Sequence, residues 1–304
     1  MDGKAKTAAA LGFFDGMHIG HAAVISAACR AAERYGFTPA AFMIREAALP
    51  KFGGRTDVFM TTYEDKVALL ERHFGINYIY APYFEDIRGL SPEGFFERVL
   101  KDIMNIGYVC CGEDFRFGKD GAGNAELLRE LCGRSGIAFE IVPPVRINNE
   151  TVSSTMLRAM IREGRVAEAD SLMLRPVSYI ATVTKGRQLG RTIGFPTMNQ
   201  VIPDNAVHAK RGVYASRVML DGARYPAITN IGVKPTVKSD DTENMETHLI
   251  GFDGDLYGRK VRVCLLDYIR DERKFGSLEE LKAQLISDRN TSISIFNERL
   301  KALS

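Results

Sequence analysis

The chain has 304 residues, of which 45% are hydrophobic and 26% are charged, with a formal net charge of +2. This length is enough for two hydrophobic cores. The near-balanced charge gives no electrostatic reason to expect a nucleic-acid or membrane partner. We find neither a signal peptide nor an apolar run approaching the ~18 residues of a transmembrane helix. A cytoplasmic protein with small-molecule substrates is therefore expected, and its oligomeric state is left open.

The five cysteines show neither CxxC nor CxxH spacing. Such cysteines are typical of reduced thiols that fill space, and the pattern argues against a zinc site.

The first half of the chain alternates between predicted strands and helices. The predicted strands cover 7–14, 37–44, 77–82, 108–111 and 137–144. The predicted helices cover 22–35, a segment from Thr61 or Thr62 with Thr61 and Glu64 as its capping box, a segment from Ser91 to about Met104, and 125–135 with Asn124 as its cap. Strands separated by helices indicate an α/β domain with a parallel sheet and right-handed crossovers. Ligands of such sheets bind beyond the carboxyl ends of the strands.

The segment Leu11–His21, which reads LGFFDGMHIGH, joins the first predicted strand to the first predicted helix. Its glycines, Gly12, Gly16 and Gly20, allow a ligand to approach the backbone, and the helix start offers free N–H groups to an anion. His18 and His21 are three residues apart, so both imidazoles can donate hydrogen bonds to the same anion. The segment predicts a phosphate site, against the alternative of two ordinary core or surface histidines.

Two later segments are predicted to meet this phosphate site. Residues 112–124 follow a strand and contain Asp114, Phe115 and Phe117, whose rings should contact a core or a flat ligand. A helix start at 151–161 carries Ser153, Ser154 and Thr155, with Arg158 one turn later. One hydroxyl is explained by an N-cap, and the group also suits phosphate oxygens.

After Pro176 the sequence becomes rich in short β-type segments, with Asp221-Gly222 and Asp253-Gly254 as hairpin signals. A small antiparallel barrel is predicted, followed by a helix from Ser277 with Leu281, Leu285 and Ile286 on its packed face. The domain boundary is expected near residues 170–178.

The barrel carries a second set of polar residues. Residues 185–199, KGRQLGRTIGFPTMN, form a glycine-punctuated loop that ends in Thr197 and Asn199 on one strand face. Hydroxyl and amide oxygens are suitable ligands for a Mg²⁺ ion that also holds nucleotide phosphates. Glu246 and His248 share a face in the same way, although either pair alone could simply be the polar face of an exposed strand.

Six motifs in order, GFFDGMHIGH, GEDFRFG, SSTMLR, GRTIGFPTMN, NIGVKPT and ETHLIGFDGDLYG, resemble the bacterial bifunctional riboflavin kinase/FMN adenylyltransferases. The resemblance implies a Rossmann-like nucleotidyltransferase domain at 1–174 and a six-stranded riboflavin kinase barrel at 175–304. It implies riboflavin, FMN and ATP as substrates and Mg²⁺ as the metal, without nucleic acid or membrane.

The resemblance also assigns roles to residues. In the first domain it implies that His18 and His21 are catalytic, that ATP binds at Gly12, Phe13, Asp15, Gly20, Ser154 and Arg158, and that the flavin binds at Asp114 and Phe115. In the kinase it implies Glu246 as the catalytic base, ATP binding at Gly186, Gly190, Arg191, Gly194, Thr197 and Asn199, and metal binding at Thr197 and Asn199.

One family motif is replaced. An FDPHP-like sequence usually ends the second strand, whereas this chain reads IREAA at 44–48, with Ala47 at the expected histidine. We expect an active adenylyltransferase with altered flavin or nucleotide binding. The alternatives are a chain in which only the kinase works, and a flavin- or nucleotide-sensing protein without turnover. An aminoacyl-tRNA synthetase, which shares the HxGH pattern, is disfavoured because no KMSKS-like sequence or basic RNA-binding face is found.

Overall fold

The computed structural model describes residues 5–45, 59–186, 189–233 and 243–301. The chain forms two compact units that divide between Ser154 and Thr155. The first unit is an α/β structure around a parallel sheet, and the second is an antiparallel barrel with a long C-terminal helix. The predicted fold class is confirmed. Among the described residues, no helix combines the length and apolar character needed to cross a bilayer.

The strands of the first unit are β1 (Thr7–Leu11), β2 (Thr38–Phe42), β3 (Tyr78–Tyr80), β4 (Ile106–Gly112), β5 (Arg116–Phe117), β6 (Gly123–Asn124), β7 (Ala138–Val142), β8 (Arg146–Ile147) and β9 (Glu150–Thr151). Its helices are α1 (Ile19–Tyr35), α2 (Tyr63–Phe74), α3 (Phe84–Ile87), α4 (Pro92–Phe95), which continues as a π-helix over Phe96–Ile103, and α5 (Ala125–Arg134), with a 3₁₀ turn at Lys119–Gly121.

The main sheet of the first unit has the strand order β3-β2-β1-β4-β7, and all its pairs are parallel. Small residues let α1 pack closely on this sheet, because its buried face is largely alanine. The central strand β1 lies between β2 and β4, so that Leu11 is paired with Phe42 on one side and with Cys111 on the other. The loops that follow β1, β2 and β4 therefore leave the same edge of the sheet.

Helix caps explain where the helices of the first unit begin. His18 caps α1, and Asn124 caps α5 as predicted by accepting a hydrogen bond from the Leu127 N–H at 2.9 Å. The capping box predicted for Thr61 is wrong by one residue, because Thr62 is the cap and accepts from the Asp65 N–H at 3.2 Å. Thr61 instead donates hydrogen bonds to the Asp15 carboxylate.

The second unit contains helices α6 (Ser154–Glu163, whose first residue closes the first unit), α7 (Val166–Ser171), α8 (Leu189–Thr192) and α9 (Leu278–Lys301). Its strands are β10 (Ser178–Thr182), β11 (Met198–Val201), β12 (Gly212–Leu220), β13 (Ala223–Val233), β14 (Glu243–Leu249) and β15 (Lys260–Arg270).

These six strands pair antiparallel in the order β10-β15-β12-β13-β14-β11. Buried Gln200 links the two ends of the sheet, because its amide donates hydrogen bonds to the carbonyls of Ala181 at 2.6 Å and Val261 at 2.8 Å. The sheet is thus nearly closed into a barrel, as predicted.

The hairpin prediction holds for one turn and fails for the other. Asp221 and Gly222 connect β12 to β13 with φ values of 50° and 84°, which is the conformation that a two-residue turn requires. Asp253-Gly254 is not such a turn, because β14 and β15 are not neighbours in the sheet and the connection spans 250–259.

The C-terminal helix packs through the face that carries two of the three predicted residues, the half-buried Leu281 and Leu285. The buried residues Asp288, Ser292 and Phe296 continue this face at helical spacing, whereas Ile286 lies off it and is 38% exposed. Asp288 receives a bidentate ion pair from Arg270, with a shortest distance of 2.7 Å, and the Ser292 hydroxyl donates to the Ala227 carbonyl at 2.7 Å. A hydrophobicity pattern does not identify Asp288 and Ser292 as part of this face, because both side chains are polar.

Candidate active sites

The loop between β1 and α1 places the two predicted histidines side by side. The rings of His18 and His21 are stacked, with centroids 3.6 Å apart and an interplanar angle of 20°. The His18 Nδ1 accepts the His21 backbone N–H at 3.3 Å, so His18 is both the helix cap and a member of the histidine pair. Gly20 makes this possible, since a Cβ there would lie 3.0 Å from two atoms of the His18 ring.

The loop before these histidines is held in an unusual conformation. Phe14, Gly16 and Met17 all have positive φ values, of 53°, 81° and 42°. Non-glycine residues adopt such values at a cost, and they persist where the surroundings fix them. Phe14 is buried and meets His21 edge to face, with ring centroids 5.5 Å apart. The tight turn thus aims the histidine pair at the carboxyl edge of the sheet.

Asp15 is the main anchor of the loop. Its buried carboxylate accepts hydrogen bonds from the Met60 N–H at 3.0 Å, the Thr61 N–H at 3.1 Å and the Thr61 hydroxyl at 3.4 Å. The Ser154 hydroxyl donates to the Asp15 carbonyl at 2.9 Å. Asp15 and Ser154 therefore position the loop, and direct contact of either with ATP stays a prediction.

The other predicted residues of the first site lie as follows. Phe13 is half-buried, its carbonyl accepts from the buried Lys66 at 3.1 Å, and the Gly12 N–H donates to the Phe42 carbonyl at 3.2 Å. Asp114 is exposed just beyond β4. Arg158 lies on α6 in the second unit, and its meeting with the histidines stays a prediction.

The phenylalanines after β4 are partly accounted for by packing. Phe115 stacks on Phe117, with centroids 5.9 Å apart, and Phe117 is buried in the core beneath. Phe115 remains half-buried, so its exposed part is available to a flat ligand. Nearby, burial and Asp114 raise the pKa of the Cys111 thiol to about 12, so it is neutral at pH 7. All five cysteines are free, as predicted.

The second site lies on one face of three neighbouring strands of the barrel. Asn199 on β11 is directly opposite Glu246 on β14, and Glu246 is directly opposite Asn230 on β13. Directly opposed residues of antiparallel strands point to the same face. Asn244, two residues before Glu246, shares this face, and its amide donates to Asn199 Oδ1 at 3.3 Å. We call these four residues the amide–carboxylate cluster.

The start of the glycine loop lies against Asn199 of this cluster. A Cβ at Gly186 would lie 2.3 Å from the Asn199 amide nitrogen, and the Thr184 N–H donates to the Asn199 carbonyl at 2.8 Å. The position of Gly190 also leaves no room for a side chain, because a Cβ there would lie 2.1 Å from the Phe195 carbonyl oxygen. Arg191 is exposed on α8, and Gly194 turns the chain back with φ 82°. Thr197 is half-buried immediately before β11.

His248 fixes the end of the glycine loop. Its Nδ1 donates to the Pro196 carbonyl at 2.8 Å, and its ring lies 5.0 Å from that of Phe195. Burial lowers the pKa of His248, and the nearby Arg289 cation lowers it further, whereas the hydrogen bond to Pro196 raises it. A neutral His248 therefore holds the residues that lead into Thr197.

Comparison with known proteins assigns the two units. A family described as FAD synthetase matches residues 2–156, and one described as riboflavin kinase matches residues 173–296. The "Bifunctional riboflavin kinase/FMN adenylyltransferase" of Bacillus subtilis is 31% identical over 98% of this chain and 95% of its own length. Its namesake in Listeria monocytogenes is 32% identical over 94% of this chain and 91% of its own length.

The chain belongs to the family of bifunctional riboflavin kinase/FMN adenylyltransferases. A solved structure described as a macrolide-efflux protein from Streptococcus pneumoniae shares its fold, with 30% identity, a TM-score of 0.83 and 95% of each chain covered.

Sequence reasoning missed two members of the amide–carboxylate cluster in this family member. The signal for Asn244 was present, because Asn244, Glu246 and His248 alternate with buried Met245 and Thr247. Asn230 had no comparable signal, since its place opposite Glu246 depends on strand register. The predicted Glu46 to Ala48 replacement and Lys234 of the NIGVKPT motif lie outside the described residues.

Proposed function

We propose that this chain phosphorylates riboflavin to FMN with ATP, and adenylylates FMN to FAD with release of pyrophosphate. The observation that carries the proposal is that each family match falls on a unit with its own candidate site: stacked His18 and His21 in one, and Glu246 opposite Asn199 in the other. We assign residues 1–174 to the adenylyltransferase and 175–304 to the kinase. Because both reactions use ATP, we place the enzyme in the cytoplasm.

In the kinase, Glu246 is the general base. Its carboxylate takes the proton of the ribityl 5′-hydroxyl as that oxygen attacks the γ-phosphorus of ATP, and the bond between the γ-phosphorus and the β–γ bridging oxygen breaks to release ADP. Asn199 and Asn230 lie directly opposite Glu246 on the two neighbouring strands. The glycines at 186, 190 and 194 let the loop backbone approach the nucleotide phosphates.

Thr197 and Asn199 would hold Mg²⁺ together with the phosphates of ATP. The chain fits this ion, because Mg²⁺ favours hydroxyl and amide oxygens. In addition, the buried Oδ1 of Asn244, a neighbour of Asn199, has no hydrogen-bond partner among the described residues. When bound, the ion neutralises charge that develops on the phosphates.

In the adenylyltransferase, the FMN phosphate oxygen attacks the α-phosphorus of ATP and pyrophosphate leaves. His18 and His21 donate hydrogen bonds to the triphosphate, and the start of α1 adds the positive end of its dipole. Gly12, Phe13, Gly20, Ser154 and Arg158 complete the ATP site, while Asp114 and Phe115 contact the flavin. Asp15 holds the loop in the required turn.

One time course tests the proposal. The purified chain is incubated with riboflavin, ATP and Mg²⁺, and riboflavin, FMN and FAD are separated by chromatography. We expect FMN to appear first and FAD to follow. A second incubation starts from FMN.

The outcomes separate the alternatives. FMN that accumulates without FAD would select an enzyme with a working kinase only, which the IREAA sequence at 44–48 makes the first alternative. Binding of flavin and ATP without any FMN would select the non-catalytic sensor.

A further inference from the structure

Arg45 leaves the sheet at the same edge as the histidine pair. It lies three residues beyond the end of β2, its N–H donates to the Pro82 carbonyl at 2.9 Å, and it forms an isolated parallel bridge with Tyr83. The neighbouring strand β1 ends at Leu11, which pairs with Phe42. Arg45 and the β1–α1 loop therefore extend from adjacent strands toward the side of the sheet where ligands bind.

Two tyrosines hold the guanidinium of Arg45. Its Cζ lies 4.3 Å from the ring centroid of Tyr63 and 5.4 Å from that of Tyr83, and Nη1 donates to the Tyr83 hydroxyl at 3.4 Å. Hydrogen bonds with the two phenols raise the pKa of Arg45 further above its already high value. The side chain is thus a permanent cation whose planar fork is kept in one orientation.

Arg45 has no carboxylate partner in the part of the chain that the structure describes. No Asp or Glu oxygen of those residues lies within 4.0 Å of it, and its buried Nε has no hydrogen-bond partner there. Arginines elsewhere in the chain do have carboxylate partners, such as Arg270 with Asp288 and Arg165 with Glu168. A rigid guanidinium with unused donors is suited to phosphate oxygens.

The local electrostatics also favour an anion. Tyr63 is the first residue of α2, so Arg45 lies at a helix N-terminus, where the dipole is positive and a cation is disfavoured. An anion bound between the guanidinium and the helix start would be stabilised by both.

The segment before α2 links Arg45 to the histidine loop. Thr61 contacts the Asp15 carboxylate, and Tyr63, two residues later, contacts Arg45. Two residues of extended chain span at most about 7 Å. Lys66, one turn further along α2, donates to the Phe13 carbonyl. The first turn of α2 therefore contacts both Arg45 and the loop that carries the histidines.

We propose that Arg45 binds phosphoryl oxygens of the adenylyl-transfer substrates, and this inference rests on the adenylyltransferase activity proposed above. Both the FMN phosphate and the ATP triphosphate offer these oxygens. Arg45 is then a specificity-determining residue of this chain at the strand end where the FDPHP-like sequence is replaced.

The test compares Arg45→Gln and Arg45→Lys with the matched control Arg34→Gln. Arg34 also lies over a tyrosine, Tyr35, at 5.4 Å, but it is in the last turn of α1, away from the carboxyl edge. FAD formation from FMN is measured against FMN and ATP separately. For Arg45→Gln we expect the KM of one substrate to rise about tenfold or more, as for loss of a charge-assisted contact. The KM of Arg45→Lys should lie between those of the wild type and Arg45→Gln, and the KM of Arg34→Gln should match that of the wild type.

The two KM values identify the source of the oxygens. A rise confined to FMN assigns Arg45 to the flavin phosphate, and a rise confined to ATP assigns it to the triphosphate. A fall in kcat with both KM values unchanged would overturn the proposal, because a merely structural role predicts that result. The thermal unfolding of each variant, compared with that of the wild type, serves as the folding control, and riboflavin kinase activity should be unchanged because Arg45 lies in the other unit.

A binding measurement separates failure of this inference from failure of the proposed function. Inorganic pyrophosphate, the leaving group of adenylyl transfer, is titrated into the wild type and the three variants by calorimetry. If the wild type makes no FAD, the function fails, and weaker pyrophosphate binding by Arg45→Gln but not by Arg34→Gln still supports Arg45. If pyrophosphate binds equally to all four proteins, the inference about Arg45 fails. It fails likewise if a wild type that makes no FAD also binds no pyrophosphate. If FAD forms normally in Arg45→Gln, the function stands and the inference fails.

Discussion

The two candidate sites are built in different ways. In the first, His18 and His21 are neighbours on one turn of chain, and their stacking is set by a cap, a glycine and a strained loop. In the second, Asn199, Asn230 and Glu246 are far apart in sequence and meet only through the register of three strands. The first site depends on local conformation, whereas the second depends on the whole barrel.

The strongest test of the second site is Glu246→Gln, which keeps the size of the side chain and removes the base. We expect the rate of FMN formation from riboflavin to fall by about 10²–10⁴-fold, as is typical for loss of a general base. The rate of FAD formation from added FMN should not change, because the histidine pair lies in the other unit. Undiminished kinase activity would mean that strand register has brought Glu246 opposite Asn199 without a catalytic role.

The first site allows its chemistry and its fold to be separated at one residue. His18→Asn keeps a good N-cap acceptor for α1 but removes the imidazole. FAD formation should fall by about 10²–10³-fold, as for loss of a donor to transition-state charge, while the thermal midpoint stays near that of the wild type. His18→Ala should lose the same activity and, in addition, about 1 kcal/mol of stability. Activity retained in His18→Asn but lost in His18→Ala would show that His18 serves only as a cap.

The contrast also explains what the sequence could predict. HIGH gave the histidine pair because spacing along one helix start determines which side chains are neighbours. The sequence likewise indicated that Glu246 and His248 share a face, since period two is local. It could not place Asn230 opposite Glu246, because that depends on strand register. It also could not show that Asp288 and Ser292 are buried on α9, because their burial depends on bonds to Arg270 and Ala227 across the fold. The shift from Thr61 to Thr62 as the cap has the same origin, because Thr61 is engaged by Asp15 across the fold.

Asp15→Ala tests how far the local geometry of the first site depends on this long-range anchor. Removal of the buried carboxylate leaves the Met60 and Thr61 N–H groups without their acceptor. Such a loss costs about 1–3 kcal/mol, measured as the free energy of unfolding of the first unit in denaturant. Asp15→Asn retains an acceptor oxygen and should cost less. Equal stability of the alanine variant and the wild type would show that the strained turn is fixed by other contacts.

Gly186→Ala is a milder change directed at the second site. The new Cβ would lie 2.3 Å from the Asn199 amide nitrogen, so the Asn199 side chain must shift while the barrel stays intact. We expect a several-fold higher KM for ATP in the kinase reaction, as for a partly displaced ligand-binding group, with an unchanged melting temperature. Gly133→Ala is the matched control, because nothing lies within 4 Å of a Cβ at that position on α5. An unchanged KM would show that the position of Asn199 is unimportant for nucleotide binding.

The smallest expected effect is a pH dependence carried by His248. Its pKa is lowered in the folded chain, chiefly by burial, so above the unfolded value of about 6.5 the residue is neutral in both states and its stabilisation is complete. As the pH falls below that value, only the unfolded chain takes up the proton, and stability decreases until the folded pKa is reached. Denaturant unfolding of the barrel between pH 7.5 and about pH 5 should therefore show a steeper loss of stability in the wild type than in His248→Gln. The exposed His73, replaced in the same way, should leave the slope unchanged. Identical slopes for the wild type and His248→Gln would remove His248 as the cause.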